Sequence, residues 1–207
     1  MRIKYALIGL APYSFHYDLT KGKENQGFLQ YYLAFKDLHN FSISVENYGK
    51  LFREEFFKMN LPLKNFDRMY LDITPSITLS MNFTKRTAAR KRTEIWAERY
   101  FPETLAENVK ILDDYLTLCI EKNVKPIMFL PPVSEGYAKY FNKKMLDEFY
   151  YLVREAQKKN PDAIFVDSWN IQNIFSDSDF CDIDHMNIAG AAKFSTLFNN
   201  FIEGLEK

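Results

Sequence analysis

Three short apolar runs, each followed closely by proline or closed by a polar residue, and separated by long stretches of helical periodicity, constrain this chain more than any other feature. Residues 3–10 carry Ile3, Tyr5, Leu7, Ile8 and Leu10 and stop at the Ala11-Pro12 step. Residues 124–130 stop at Pro131-Pro132, and residues 163–167 close on Asp167. Runs this apolar read as strands buried on both faces. Between the second and third lies one amphipathic helix, expected over 135–159, capped by Ser134 and broken at Asn160-Pro161. Before the second, Pro102 opens a helix over 104–122 whose stripe is Leu105, Val109, Leu112, Leu116 and Ile120. Residues 87–100 and 188–205 complete the expected helices. Strands joined by long helices need crossover connections, so the class is α/β: a three-layer, mostly parallel sheet with helices on both faces.

Residues 28–38 and 45–59 repeat aromatic and apolar residues at helical spacing, and 61–82, interrupted by Pro62 and Pro75, reads as loop. Together with 87–122 they make residues 20–123 a mainly helical insertion within a single domain spanning 1–207. The aromatic series Phe28, Tyr31, Tyr32, Phe35 and Phe52, Phe56, Phe57 reads as core, and His39 as a helix-end residue. One domain is what 207 residues with 47% hydrophobic content can support, since one sizeable core leaves little for a second. Lys plus Arg equals Asp plus Glu at 27 each, which leaves a nucleic-acid partner without an electrostatic footprint. The local exception, residues 85–92 with Lys85, Arg86, Arg90, Lys91 and Arg92, reads as a solvated helix face.

Cys119 falls in an apolar helical run and Cys181 in a polar loop, unlike contexts that argue against a structural disulfide and for a reducing, cytoplasmic setting. The apolar run at the start is too brief for a signal segment, and no stretch reaches membrane-spanning length.

Ligands of open parallel sheets gather at the carboxyl ends of the strands. The loops there are 12–18, 131–137 and 168–187, and they hold Ser14, His16, Ser134, Asp182 and His185. Asp182 and His185 stand three apart, the spacing that lets a carboxylate hold one imidazole nitrogen while the other serves as a base. Plainer readings stand beside these. Ser14 and His16 follow a proline, where turn chemistry explains a serine, and Ser134 is the N-cap of the helix after it. Asp182 with Asp177, Asp179 and Asp184 makes a polar loop in which an aspartate caps a turn. The same aspartates with His185 offer oxygen donors, but without the alternation and turn glycine of a calcium loop, so neither a metal nor another cofactor is expected.

The succession of apolar strand, Pro-Pro strand end, strand ending in Asp, then Asp182-x-x-His185 followed by Asn187 and a Gly190-Ala191 helix start resembles the second half of an SGNH/GDSL-type hydrolase domain, a flavodoxin-like α/β fold. The resemblance implies an ester hydrolase or acyltransferase acting on a small-molecule or glycan ester, with Asp182 and His185 catalytic and His16, Ser134 and Asn187 near substrate. It leaves two registers open. In one, residues 3–10 are a middle strand of the family, residues 9–14 replace its Gly-x-Asn-Asp turn, and the nucleophilic serine lies outside this chain. In the other, residues 3–10 are the first strand and Ser14 is the nucleophile. A non-catalytic module is the alternative, with the aromatic insertion as an interaction surface and an uncovered sheet edge that invites a homodimer.

Overall fold

The computed structural model of the chain describes residues 3–18, 83–98, 100–171 and 173–206. Close contacts divide the chain into two units, Met1–Tyr17 with Thr74–Lys207, and Asp18–Ile73. Everything below concerns the first unit, apart from Asp18. The expectations for 28–38, 45–59, 61–82 and His39 lie outside the described residues.

Strands β1 (Tyr5–Gly9), β2 (Lys125–Leu130) and β3 (Ile164–Asp167) form a parallel sheet in that order. Leu7 pairs with Ile127 and Gly9 with Phe129, while Ile127 and Phe129 pair with Ile164 and Val166 on the other side. Pro126 sits in the central strand, a place that usually excludes proline because the missing N–H breaks a ladder. Here Lys125 donates to Lys4 on the β1 side, so the next residue faces β3. Pairing with β3 begins only at Ile127, and the absent donor removes no bond.

Helices α1 (Phe83–Glu98), α2 (Pro102–Glu121), α3 (Glu135–Tyr140), α4 (Lys143–Lys159) and α5 (Ile188–Gly204), with a 3₁₀ turn at Asp177–Asp179, are the other elements of the described residues. Alternation along the strands sends Met128 and Leu130 to one face, into a core with Leu112 and Leu116 of α2 and Phe149 and Val153 of α4. The opposite face presents Phe129 to α5, its ring 5.0 Å from Phe198 and 5.9 Å from Phe194. Gly9 makes room for it, since a Cβ there would stand 3.2 Å from the Phe129 ring. The sheet is therefore covered on both faces, an α/β arrangement. Fully burying side chains of this size stabilises by roughly 1.5–3 kcal/mol each.

One expected element divides. The helix over 135–159 breaks at Phe141, whose backbone is extended, and Asn142 caps the restart by accepting the Met145 N–H at 3.1 Å. At the chain's other expected boundary, α1 begins four residues before Thr87. Cys119 and Cys181 are both free thiols.

Candidate functional site

At the carboxyl end of the sheet, residues 173–187 fold into a loop pinned at both sides. Phe180 and Met186 form an antiparallel bridge, and the Cys181 N–H donates to the His185 carbonyl at 2.9 Å. Asp182 organises the tip between them. Its Oδ1 accepts the backbone N–H of Asp184 at 3.0 Å and of His185 at 2.8 Å, the local turn that aspartate side chains favour. The same carboxylate meets His185 Nδ1, at 2.8 Å through Oδ2 and 3.0 Å through Oδ1. The turn-capping role and the acid-histidine pair thus coexist in one side chain.

No described residue hydrogen-bonds His185 Nε2, and the side chain is 57% exposed. The pair polarises both groups. Burial alone would raise Asp182, but hydrogen bonds from the His185 ring and from two backbone N–H groups outweigh it and hold the carboxyl well below the usual range. Asp182 first, and Asp184 second, raise His185 to about 10. Asp184 is a participant that the sequence leaves in a polar loop. Its Oδ1 lies 3.3 Å from His185 Nδ1, and its Oδ2 lies 3.4 Å from Arg92 Nε on α1. Arg92 departs from the solvated face expected for residues 85–92, whereas Arg90 fits it, exposed and paired with Glu94 at 2.9 Å. No local pattern marks Arg92, because its partner is remote in sequence.

The donor atoms of Asp182, Asp184 and His185 fall within 4.8 Å of one another, a spacing a cation can bridge. In this structure Nδ1 is hydrogen-bonded to Asp182, with Asp184 as a second carboxylate alongside.

The remaining candidates serve the frame. Ser134 is fully buried, caps α3 by accepting the Tyr137 N–H at 3.3 Å, and donates its proton to the Ile183 carbonyl at 2.6 Å. Asn187 caps α5 through Gly190 N–H at 2.9 Å and donates to the Ser178 carbonyl at 2.8 Å. Both side chains are spent on anchoring the loop that carries the dyad. Gly190 belongs to the same anchor, since a Cβ there would overlap the Asp179 carbonyl.

Ser14 stands in the turn after β1, where its Oγ accepts the Ala11 N–H at 2.9 Å. No hydrogen bond joins it to His185 among the described residues. Its turn packs on α1: the neighbouring Tyr13 stacks on Trp96 at 3.8 Å, one turn beyond Arg92. Burial, with Asp184 adding to it, pushes the Tyr13 hydroxyl up to about 12, and the same two causes raise Tyr137 on α3. His16 is 0% exposed and neither ring nitrogen has a hydrogen-bond partner among the described residues. Its ring packs 4.7 Å from that of Tyr100, and burial lowers its basicity.

What the fold and site define is a class: a parallel α/β unit carrying an exposed aspartate-histidine pair on the carboxyl rim of its sheet. Searched against family models, curated proteins and solved structures, the chain matches none significantly. No helix among the described residues is long and apolar enough to cross a membrane.

Proposed function

We propose that the chain is an SGNH-type ester hydrolase or acyltransferase, acting on an acyl ester of a small molecule or a glycan, in which Asp182 and His185 are the acid-base half of the site. The observation that carries this reading is the bifurcated Asp182–His185 Nδ1 hydrogen bond, which leaves Nε2 exposed at the carboxyl ends of parallel strands. In the reaction, Nε2 takes the proton of a serine hydroxyl as its oxygen bonds to the ester carbonyl carbon. The leaving alcohol then recovers that proton, and water or an acceptor hydroxyl releases the acyl group by the reverse path. The serine is Ser14 or one that lies outside this chain.

Two carboxylates beside Nδ1 keep the imidazole protonated at neutral pH. Base-dependent turnover therefore grows about tenfold per pH unit from neutrality up to the His185 value. Hydrolysis of a chromogenic acetyl ester and of acetylated sugars, measured against pH for the wild type and for His185→Ala, tests the reading. A variant-sensitive rate that climbs with pH supports it; identical curves for the two proteins refute it.

A non-catalytic role is the second reading. It is favoured by the engagement of Ser14 Oγ with Ala11 and by the position of β1 at the edge of the sheet that the described residues form, where Leu7 is 51% exposed. In that case β1 is the strand through which a second copy pairs. Sizing at high concentration separates the two, because a strict monomer that turns over ester has no need of the edge.

A further inference from the structure

The loop carrying His185 supplies two carboxylates where a histidine base needs one. Asp182 is the bonded partner, at 2.8 Å from Nδ1, and Asp184 the outlying one, at 3.3 Å. Asp184 is also the more enclosed of the two, with 12% of its side chain exposed, and among the described residues its Oδ1 has only the long contact to His185 Nδ1. A buried carboxylate oxygen without a hydrogen bond is costly unless a charge compensates it. Two cations reach Asp184: His185 at Oδ1 and Arg92 at Oδ2. They compete for one side chain.

We propose that Arg92 is a positioning residue for the dyad: by pairing with Asp184 Oδ2 it weakens the hold of that carboxylate on His185, so that Asp182 remains the principal partner that orients the imidazole. Helix α1 gives Arg92 a fixed base, through the fully buried Ala89 one turn before it and the Tyr13–Trp96 stack one turn after it. Among the described residues, the titratable and charged groups near His185 and Asp184 are Asp182 on the loop, Arg92 on α1, Tyr13 after β1 and Tyr137 on α3. Of these, only Arg92 carries positive charge. Removing it frees Asp184 for Nδ1, which holds the imidazole proton more firmly and leaves less of the neutral ring that can accept a proton near neutral pH. The electrostatic link between Arg92 and His185 stands whatever the site does; its catalytic meaning rests on the proposed function.

The test is an NMR titration of the His185 ring, assigned by comparison with His185→Gln, in the wild type, Arg92→Gln, Asp184→Asn and the double variant. Arg92→Gln is expected to move the His185 midpoint upward by about half a unit or more. Asp184→Asn should move it downward, and in the Asp184→Asn background Arg92→Gln should have no further effect. Arg92→Lys, which keeps the charge, should recover much of the wild-type midpoint. An unchanged midpoint in Arg92→Gln overturns the proposal, as does a shift of the same size with Asp184 already replaced. Should Arg92→Gln fail to fold, the Arg92→Lys and Asp184→Asn midpoints still decide. Lack of ester hydrolysis in every protein would sink the proposed function and leave the titration result standing.

Discussion

Ser134 Oγ donates a 2.6 Å hydrogen bond to the carbonyl of Ile183, two residues before His185, while accepting the N–H that starts α3. One buried hydroxyl thereby fixes the loop after β2 to the loop that carries the dyad. Ser134→Ala removes the cap and leaves the Ile183 carbonyl without this donor in a closed environment. The expected loss is about 2–3 kcal/mol, read as a lower urea midpoint at unchanged slope. Ester turnover, if present, should fall further than stability explains, because the dyad loop loses its tie.

Gly190 allows α5 to start against the Asp179 carbonyl. Gly190→Ala places a methyl group into backbone rather than into a flexible side chain, so relief requires moving the helix or the 3₁₀ turn Asp177–Asp179. A destabilisation of about 1–3 kcal/mol is expected. Thermal unfolding checks it, with Ala191→Gly in the same first turn as a control for simple helix propensity.

His16 and His185 tilt the pH dependence of stability in opposite directions. Burial lowers His16 below its ordinary 6.5, so the unfolded chain takes up this proton first and stability falls as pH drops below that value. His16→Phe, which keeps a ring in the pocket and removes the titration, should flatten the acid limb of urea midpoints plotted against pH. A limb as steep as in the wild type would contradict this.

His185 is raised, so its contribution to stability is fully present below 6.5 and is lost as pH climbs through about 10. His185→Gln should abolish the alkaline part of that decline. Asp182→Asn keeps an oxygen for the two backbone N–H groups but removes the charge, so the loop should persist while the His185 midpoint falls toward its ordinary value. A histidine titration followed by NMR reads both effects.

Much of the frame was legible because punctuation and periodicity are local. The prolines after β1 and β2 and the Asn160-Pro161 break mark the ends of elements correctly. The break between α3 and α4 is hidden by its own pattern: Tyr137, Phe141, Met145, Phe149 and Val153 are all buried at a constant spacing of four, so the apolar stripe runs unbroken through an interruption of the backbone. Within the candidate site, the Asp182–His185 spacing is visible because the pair is made inside one turn. The Arg92–Asp184 contact is not, since it depends on packing of α1 against the loop across half the chain. Ser134 and Asn187 are polar residues at the rim whose side chains turn out to be committed to caps and carbonyls.

The most direct test of an acid-base dyad serving a serine is labelling with a fluorophosphonate probe, followed by intact mass and peptide mapping, in the wild type and in His185→Ala. The account predicts a single phosphonylated serine in the wild type, more labelling as pH rises toward about 10, and a loss in the variant of about 10²–10⁴-fold in rate. Equal labelling of the two proteins would contradict it, and no labelling of the folded wild type at any pH would contradict a nucleophile within this chain.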